Sequence, residues 1–145
     1  MTPKELAEKV FHKMYDNDPF SKWLGIKCLE IDQGKCSLKM TVRKEMLNGF
    51  SIAHGGICYA LADSALAFAS NSHGRKSISI ETSISHTESV KEGDIITAFA
   101  EEIYLGNKTG IYHITVTNQY IKKVALFKGT VYRTSKFWFK DEEKN

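Results

Sequence analysis

Cysteine is scarce in this chain. Only Cys28, Cys36 and Cys58 occur, an odd number with no CxxC pair. Neither a disulfide framework nor a cysteine zinc site follows from them. His12, His73, His86 and His113 show no metal-ligand spacing and read as surface or strand positions. Long apolar runs are missing too: the longest is broken by Asp63 and Ser64 and is too short to span a bilayer. Met1-Thr2-Pro3-Lys4-Glu5 has no apolar core behind a basic start, so no signal peptide is expected and the cytoplasm is the default location. An excess of one charge is absent as well. The formal net charge is only +3 with the lysines scattered, which does not indicate a dedicated nucleic-acid binder but leaves room for a local phosphate site. Repeats, linkers and low-complexity segments are lacking.

What is present is an ordinary globular composition, 42% hydrophobic and 26% charged over 145 residues. That is enough for one domain with a real core. Thr2-Pro3-Lys4-Glu5 reads as a capped helix start, and Leu6, Val10, Phe11 and Met14 recur at helical spacing until Asn17-Asp18-Pro19 ends the helix. The short piece Phe20 to Leu24 is ambiguous. From Gly25 to Arg43 the period changes to two, with Gln33-Gly34 as the turn of a β-hairpin. Lys44 to His54 is a loop. Gly55 to about Ser72 is one helix, apolar on every face and therefore expected to be buried on all sides. Four strands follow, carrying Ile78-Ile80-Thr82-Ile84, Asp94 to Tyr104, Tyr112-Ile114-Val116 and Val124 to Phe137. The N-terminal helix thus occupies residues 1–18, and residues 140–145 form a charged tail expected to fray. The simplest packing is an α+β fold in which an antiparallel sheet wraps the long central helix. One curved sheet covers only one side of a helix, so a second copy of the chain is expected to cover the other.

The chemistry gathers around this helix. Gly55 and Gly56 stand at its start, where the first backbone N–H groups have no intrahelical partner and the dipole is positive. Such a donor suits the oxygen of a polarised carbonyl; the plain alternative is a tight loop-to-helix turn. Asp63 lies inside the apolar run, where desolvation should raise its pKa and make it a candidate base or nucleophile, or else a structural hydrogen-bonding residue. Asn48 and His54 flank the loop. An amide orients a water without changing protonation, while His54 either shapes the loop or makes a polar contact at the reacting group. Ser64 has no adjacent His–Asp pair, so a serine-hydrolase triad is unsupported. Gly55 and Asp63 are eight positions apart, about 12 Å along a helix. One carbonyl carbon cannot be reached by both within one chain. Two antiparallel central helices related by a two-fold axis would bring Gly55 of one chain to Asp63 of the other.

In order, Asn48-Gly49, His54-Gly55-Gly56, Leu61-Ala62-Asp63-Ser64-Ala65, Asn71-Ser72, Gly93-Asp94, Lys108-Thr109-Gly110 and Val124-Ala125-Leu126-Phe127-Lys128-Gly129 resemble the hotdog-fold acyl-CoA thioesterases, specifically the phenylacetate-pathway (PaaI-like) group. The resemblance covers most of the chain. It implies a hotdog domain over residues 1–145, a homodimer usually paired into a homotetramer, and hydrolysis of an acyl-CoA to a free acid and CoA with no cofactor, metal, nucleic-acid or membrane partner. It also implies roles. Asp63 matches the catalytic nucleophile or base, Gly55 the donor to the thioester oxygen, Asn48 the residue that orients the nucleophile or water, and His54 a residue beside the thioester. Gly56, Ser64 and Ser79 are candidate substrate contacts. Arg75, Lys76, Lys108 and Lys123 are candidate holders of the CoA phosphates. The chain departs from the pattern at Thr87-Glu88-Ser89, where many relatives carry a hydrophobic residue, Arg and Pro; His86 beside it is also unusual and makes the pocket more polar. A hotdog enoyl-CoA hydratase or dehydratase and a non-catalytic acyl-CoA binder are the alternatives to hydrolysis.

Overall fold

The computed structural model describes residues 1–140; most of the tail expected to fray, residues 140–145, lies outside them. Helix α1 (Pro3–Asp16) opens on the predicted capping box, the Thr2 hydroxyl accepting from Glu5 N–H and the Glu5 carboxylate from Thr2 N–H. Its apolar stripe, Leu6, Ala7, Val10 and Phe11, is buried, and the Phe11 ring meets Phe68 edge-on at 4.7 Å. The ambiguous stretch after it is a short helix, α2 (Pro19–Leu24), capped by Asp18 and ended by Gly25 at φ 76°. No helix among the described residues is long and apolar enough to cross a membrane.

Six strands make one antiparallel sheet: β1 (Lys27–Asp32), β2 (Lys35–Thr41), β3 (Arg75–His86), β4 (Ile95–Leu105), β5 (Thr109–Thr117) and β6 (Lys123–Phe137), in the order β1-β2-β4-β5-β6-β3. The period-two pattern read from the sequence is the buried face. Cys36, Leu38 and Met40 of β2, Ile96, Ala98 and Ala100 of β4, and Tyr112, Ile114 and Val116 of β5 are all buried. They close over the long helix α3 (Gly55–Asn71). The helix approaches β6 so closely that a Cβ on Gly129 would lie 2.5 Å from Cδ2 of Leu66, itself buried. Glycine at 129 is therefore a packing requirement.

The C-terminal end of α3 is pinned by two side chains. The buried Asn71 amide donates to the carbonyls of Ala67 (2.8 Å) and Ser77 (3.1 Å). Its oxygen accepts from Ser77 N–H and from the Trp138 indole N–H, both at 2.9 Å. Ser72 Oγ accepts from Gly34 N–H at 2.8 Å and donates to the Ala69 carbonyl at 2.6 Å. The helix end is thereby tied at once to the start of β3, to the chain after β6 and to the β1–β2 turn.

The chain's own sheet covers one side of helix α3, as expected of a single curved sheet, and leaves the other side open: Tyr59, Ala60, Asp63, Ser64 and Ala67 form a half-buried stripe at helical spacing. Strand β3 beside it is an edge strand; of its alternating isoleucines Ile84 packs against the core, while Ile78 and Ile80 do not. Ile78 and Ile80 are each 60% exposed, and Ser77 is the one buried residue of the strand. The sheet runs out before it closes around the helix.

If Gly129 is a packing requirement, Gly129→Ala should overfill the α3–β6 contact and lower unfolding stability by about 1–3 kcal/mol. Denaturant titration reads this directly, and an unchanged midpoint would refute it.

Candidate active site

The loop before α3 is built by the side chains that the sequence singled out. Asn48 Oδ1 accepts from the N–H groups of Phe50 (2.9 Å) and Ile52 (3.4 Å), which holds Ser51 in a left-handed conformation at φ 62°. Its amide nitrogen makes no hydrogen bond among the described residues. His54 is the N-cap of α3, and its Nδ1 accepts from Gly56 N–H at 2.9 Å. This is the loop-shaping role foreseen for a histidine here, and it takes up the Gly56 N–H. The Ile57 N–H is also bonded, to the His54 carbonyl at 2.9 Å. Gly55 therefore presents the N–H of the first turn that has no acceptor among the described residues.

Asn48, His54 and Gly55 line a cavity of about 360 Å³ together with Cys58, His86 and Glu88. Burial pushes the Cys58 thiol up to about 11, so it remains protonated and is no nucleophile. His86 is the surprise. Its Nε2 lies 3.2 Å from the point a Gly55 Cβ would occupy, so the imidazole stands against the helix start. The sequence placed His86 on a strand but gave no register between that strand and α3. The structure supplies it: Tyr59 Oη and Thr82 Oγ1 are 2.7 Å apart, and β3 runs alongside the helix from there in both directions.

Asp63 faces a different and larger cavity, about 450 Å³, lined also by Leu66, Ala67, Ile78, Ser79 and Trp138. Partial burial raises its pKa above the ordinary 3.8, and no hydrogen bond or cation among the described residues counters this. Ser79 and Asp63 are thus brought together, while Gly55 and Asp63 are kept apart, as the helix spacing required. Ser64 turns elsewhere: its Oγ is 2.9 Å from Ser21 Oγ, which donates to Asp18 at 2.6 Å.

The four basic residues do not gather at either cavity. Arg75 donates to the carbonyls of Asn107 (2.7 Å), Thr134 (3.1 Å) and Arg133 (3.2 Å), a purely intramolecular engagement. Lys76 reaches the rim of the Asp63 cavity, with Nζ 4.8 Å from the Trp138 ring centroid. Lys108 sits in the β4–β5 turn, its carbonyl accepting from Arg133 N–H at 2.7 Å. Lys123 begins β6 at the opposite end of β3, its carbonyl accepting from Thr87 Oγ1 at 2.7 Å. The 12-residue β3 separates that end from Arg75 by about 35 Å at roughly 3.3 Å per residue. Glu88 is paired with Lys122 at 3.3 Å. Among the described residues no cluster of three His, Cys, Asp or Glu side chains forms a metal-ligand set.

Comparison with known proteins adds four likenesses. The Thioesterase superfamily matches residues 50–125, a span that contains Gly55, Asp63 and His86. The acyl-coenzyme A thioesterase PaaI of Escherichia coli is 41% identical over 122 residues, 84% of this chain and 87% of its own. The solved structure of the E. coli PaaI protein, from the phenylacetic acid degradation operon, covers 92% of this chain and 96% of its own at a TM-score of 0.90 and 38% identity. A Streptococcus mutans protein solved with acetyl-CoA covers 75% of this chain and 88% of its own at a TM-score of 0.73 and 28% identity.

The Asp63 environment fixes the sign of a stability effect. A carboxyl whose folded pKa is raised destabilises the fold when ionised, fully above the folded value, and the penalty fades as pH falls through that value towards 3.8. Asp63→Asn should therefore fold and melt at a higher temperature than the parent at neutral pH. The advantage should shrink on acidification through that window. A lower melting temperature for the variant at neutral pH would contradict the assignment.

Proposed function

Because the chain belongs to the thioesterase superfamily and carries the hotdog fold of its E. coli relative, we propose that it is a thioester hydrolase that cleaves an acyl-CoA to the free acid and CoA. The observation that carries this reading is a pair of groups on α3 unsatisfied among the described residues: a helix-start N–H at Gly55 without an acceptor, and a half-buried carboxylate at Asp63 without a donor. The first suits a carbonyl oxygen that becomes an oxyanion. The second suits attack on the carbonyl carbon, directly as a nucleophile or by taking a proton from water.

A second copy completes the site. The midpoint between Gly55 and Asp63 on the helix is Tyr59, and Thr82 stands beside the midpoint between Ser79 and His86 on β3. Tyr59 and Thr82 are in contact. One two-fold axis near this pair exchanges both ends together, setting Gly55 and His86 of one protomer against Asp63 and Ser79 of its partner. The same operation pairs the open β3 edges and covers Ile78, Ile80 and the exposed stripe of α3. A dimer built this way holds two equivalent sites.

The reaction then runs as follows. The thioester carbonyl lies against the Gly55 N–H, whose dipole end stabilises developing negative charge. Asp63 of the partner subunit delivers the attack, with the Asn48 amide available to hold the water or the carboxylate. The carbon–sulfur bond breaks and CoA departs as a thiolate, a leaving group that needs no dedicated acid; attack by water yields the free acid directly, whereas direct attack by Asp63 leaves a mixed anhydride that a water then hydrolyses to the free acid and the restored carboxylate. His54 holds the loop that aims Gly55.

Two experiments decide the matter. Asp63→Asn should lower hydrolysis of acyl-CoA esters, read as thiol release, by at least about a hundredfold while binding of a nonhydrolysable CoA analogue survives. Near-normal turnover removes Asp63 from the mechanism. Mixing Asp63→Ala with Gly55→Pro chains, each inactive alone, should restore one working site per mixed dimer; proline is tolerated at the first helical position but carries no N–H. Absence of rescue would rule out a shared site.

A further inference from the structure

Among the described residues the first turn of α3 leaves the Gly55 N–H without an acceptor, because His54 accepts that of Gly56 at 2.9 Å and its carbonyl accepts that of Ile57. A single donor is a thin provision for an oxygen that takes up a full negative charge. We infer that His86 supplies the second: its Nε2–H donates to the same thioester oxygen as Gly55 N–H, which makes His86 a catalytic residue of the proposed hydrolase. The inference rests on the reading of Gly55 as oxyanion donor given above.

The geometry is bounded by the coordinates. Nε2 of His86 is 3.2 Å from the ideal Cβ position of Gly55. That position is about 2.5 Å from the Gly55 nitrogen by ordinary backbone geometry. The two nitrogens are therefore at most about 5.7 Å apart, and one oxygen at about 2.9 Å from each spans that distance. Both residues line the same 360 Å³ cavity. The ring is uncommitted: no hydrogen bond to either His86 nitrogen exists among the described residues, whereas His54 Nδ1 is taken up by the helix cap. Its backbone is fixed, since His86 pairs with Ala125 at the end of the β3–β6 ladder. A glycine at 55 is also what lets the ring approach. The 3.2 Å spacing is tighter than an ordinary side-chain contact, so a Cβ there would crowd the imidazole.

The test compares a variant that removes the donor with one that keeps it. His86→Phe should lower kcat by about a hundredfold, the usual worth of one oxyanion donor, with KM little changed. His86→Gln, whose amide still presents an N–H, should stay within about tenfold of the parent. Where Phe distorts the strand end, His86→Asn serves instead, its amide being too short to reach. A second readout is independent of turnover: the carbonyl stretch of an acyl-CoA bound to Asp63→Asn protein, by Raman difference spectroscopy. The stretch should shift to lower frequency on binding, lose a large part of that shift when His86→Phe is added, and recover it with His86→Gln. A bound carbonyl that shifts equally with and without His86→Phe, together with parental kcat, overturns the His86 assignment and leaves the hydrolase reading standing. Unimpaired hydrolysis by Asp63→Asn, or a bound thioester with no shift in any variant, overturns the reading of the site itself and His86 with it.

Discussion

The buried amide of Asn71 is the constraint on which the working parts depend. It binds the last turn of α3 through Ala67, the first residues of β3 through both the N–H and carbonyl of Ser77, and the chain after β6 through the Trp138 indole. An amide has two donors and an oxygen with two lone pairs, and here all are engaged. Replacing it by an apolar residue would leave the Ser77 and Trp138 groups unpaired in the interior, at a cost of about 1–3 kcal/mol for each. More important than the energy is the register. Once Ser77 is fixed against Asn71, strand and helix must run antiparallel in a set phase.

That phase turns a structural clamp into a measure of where chemistry can occur. Counting away from the clamp, Ser79 falls beside Asp63 in one cavity, Thr82 meets Tyr59, and His86 arrives at Gly55 in another. Each end of the strip carries groups of opposite electrostatic need. At Gly55 the helix dipole and an unused N–H favour negative charge; at Asp63 a carboxylate sits in a partly dry environment that resists its ionisation. Within one chain the two needs are unanswered, because the helix that holds both groups also keeps them apart.

Much of this was legible in the sequence, and the limits are instructive. The capping box at Thr2 and Glu5, the Gln33-Gly34 hairpin and the apolar α3 are local patterns, and local physics placed them. Asp63 and the Gly55 start stood out because a charge and a glycine pair are conspicuous in such surroundings. The short α2 was ambiguous because its identity comes from Asp18 and Gly25 at its ends, not from a periodic stripe. Other features are of tertiary origin. Ile78 and Ile80 alternate in the sequence, and only the strand order shows that they lie on an edge that the chain's own sheet does not cover. Charge alone does not tell where a basic side chain goes: Arg75 donates to backbone carbonyls, and Lys123 lies at the far end of the strand. Nor does any pattern in the sequence bring His86 to Gly55; that follows from a helix–strand register set by Asn71. Asn71, Gly93 and Gly129, quoted for the resemblance, prove to be structural: a clamp, a turn at φ 88° and a close helix contact.

Three features that would be faults in a self-sufficient fold lie along one strip of the surface: an open strand edge with two exposed isoleucines, a helix stripe left half bare, and an ionisable group held without a partner. Any one of them has an ordinary explanation. Edges are tolerated when short or charged, small residues on a helix are unremarkable, and a half-buried aspartate is a modest burden. Their coincidence is harder to dismiss, because β3 is the strand that fixes both the edge and the spacing of the polar groups. A two-fold axis near Tyr59 and Thr82 addresses all three with one operation. It gives the edge a partner strand, gives the stripe a cover, and brings the carboxylate to the helix dipole it lacks at home. In the proposed assembly, stability and catalysis are therefore drawn from the same contact, and separating the subunits would remove the site together with the surface that conceals it.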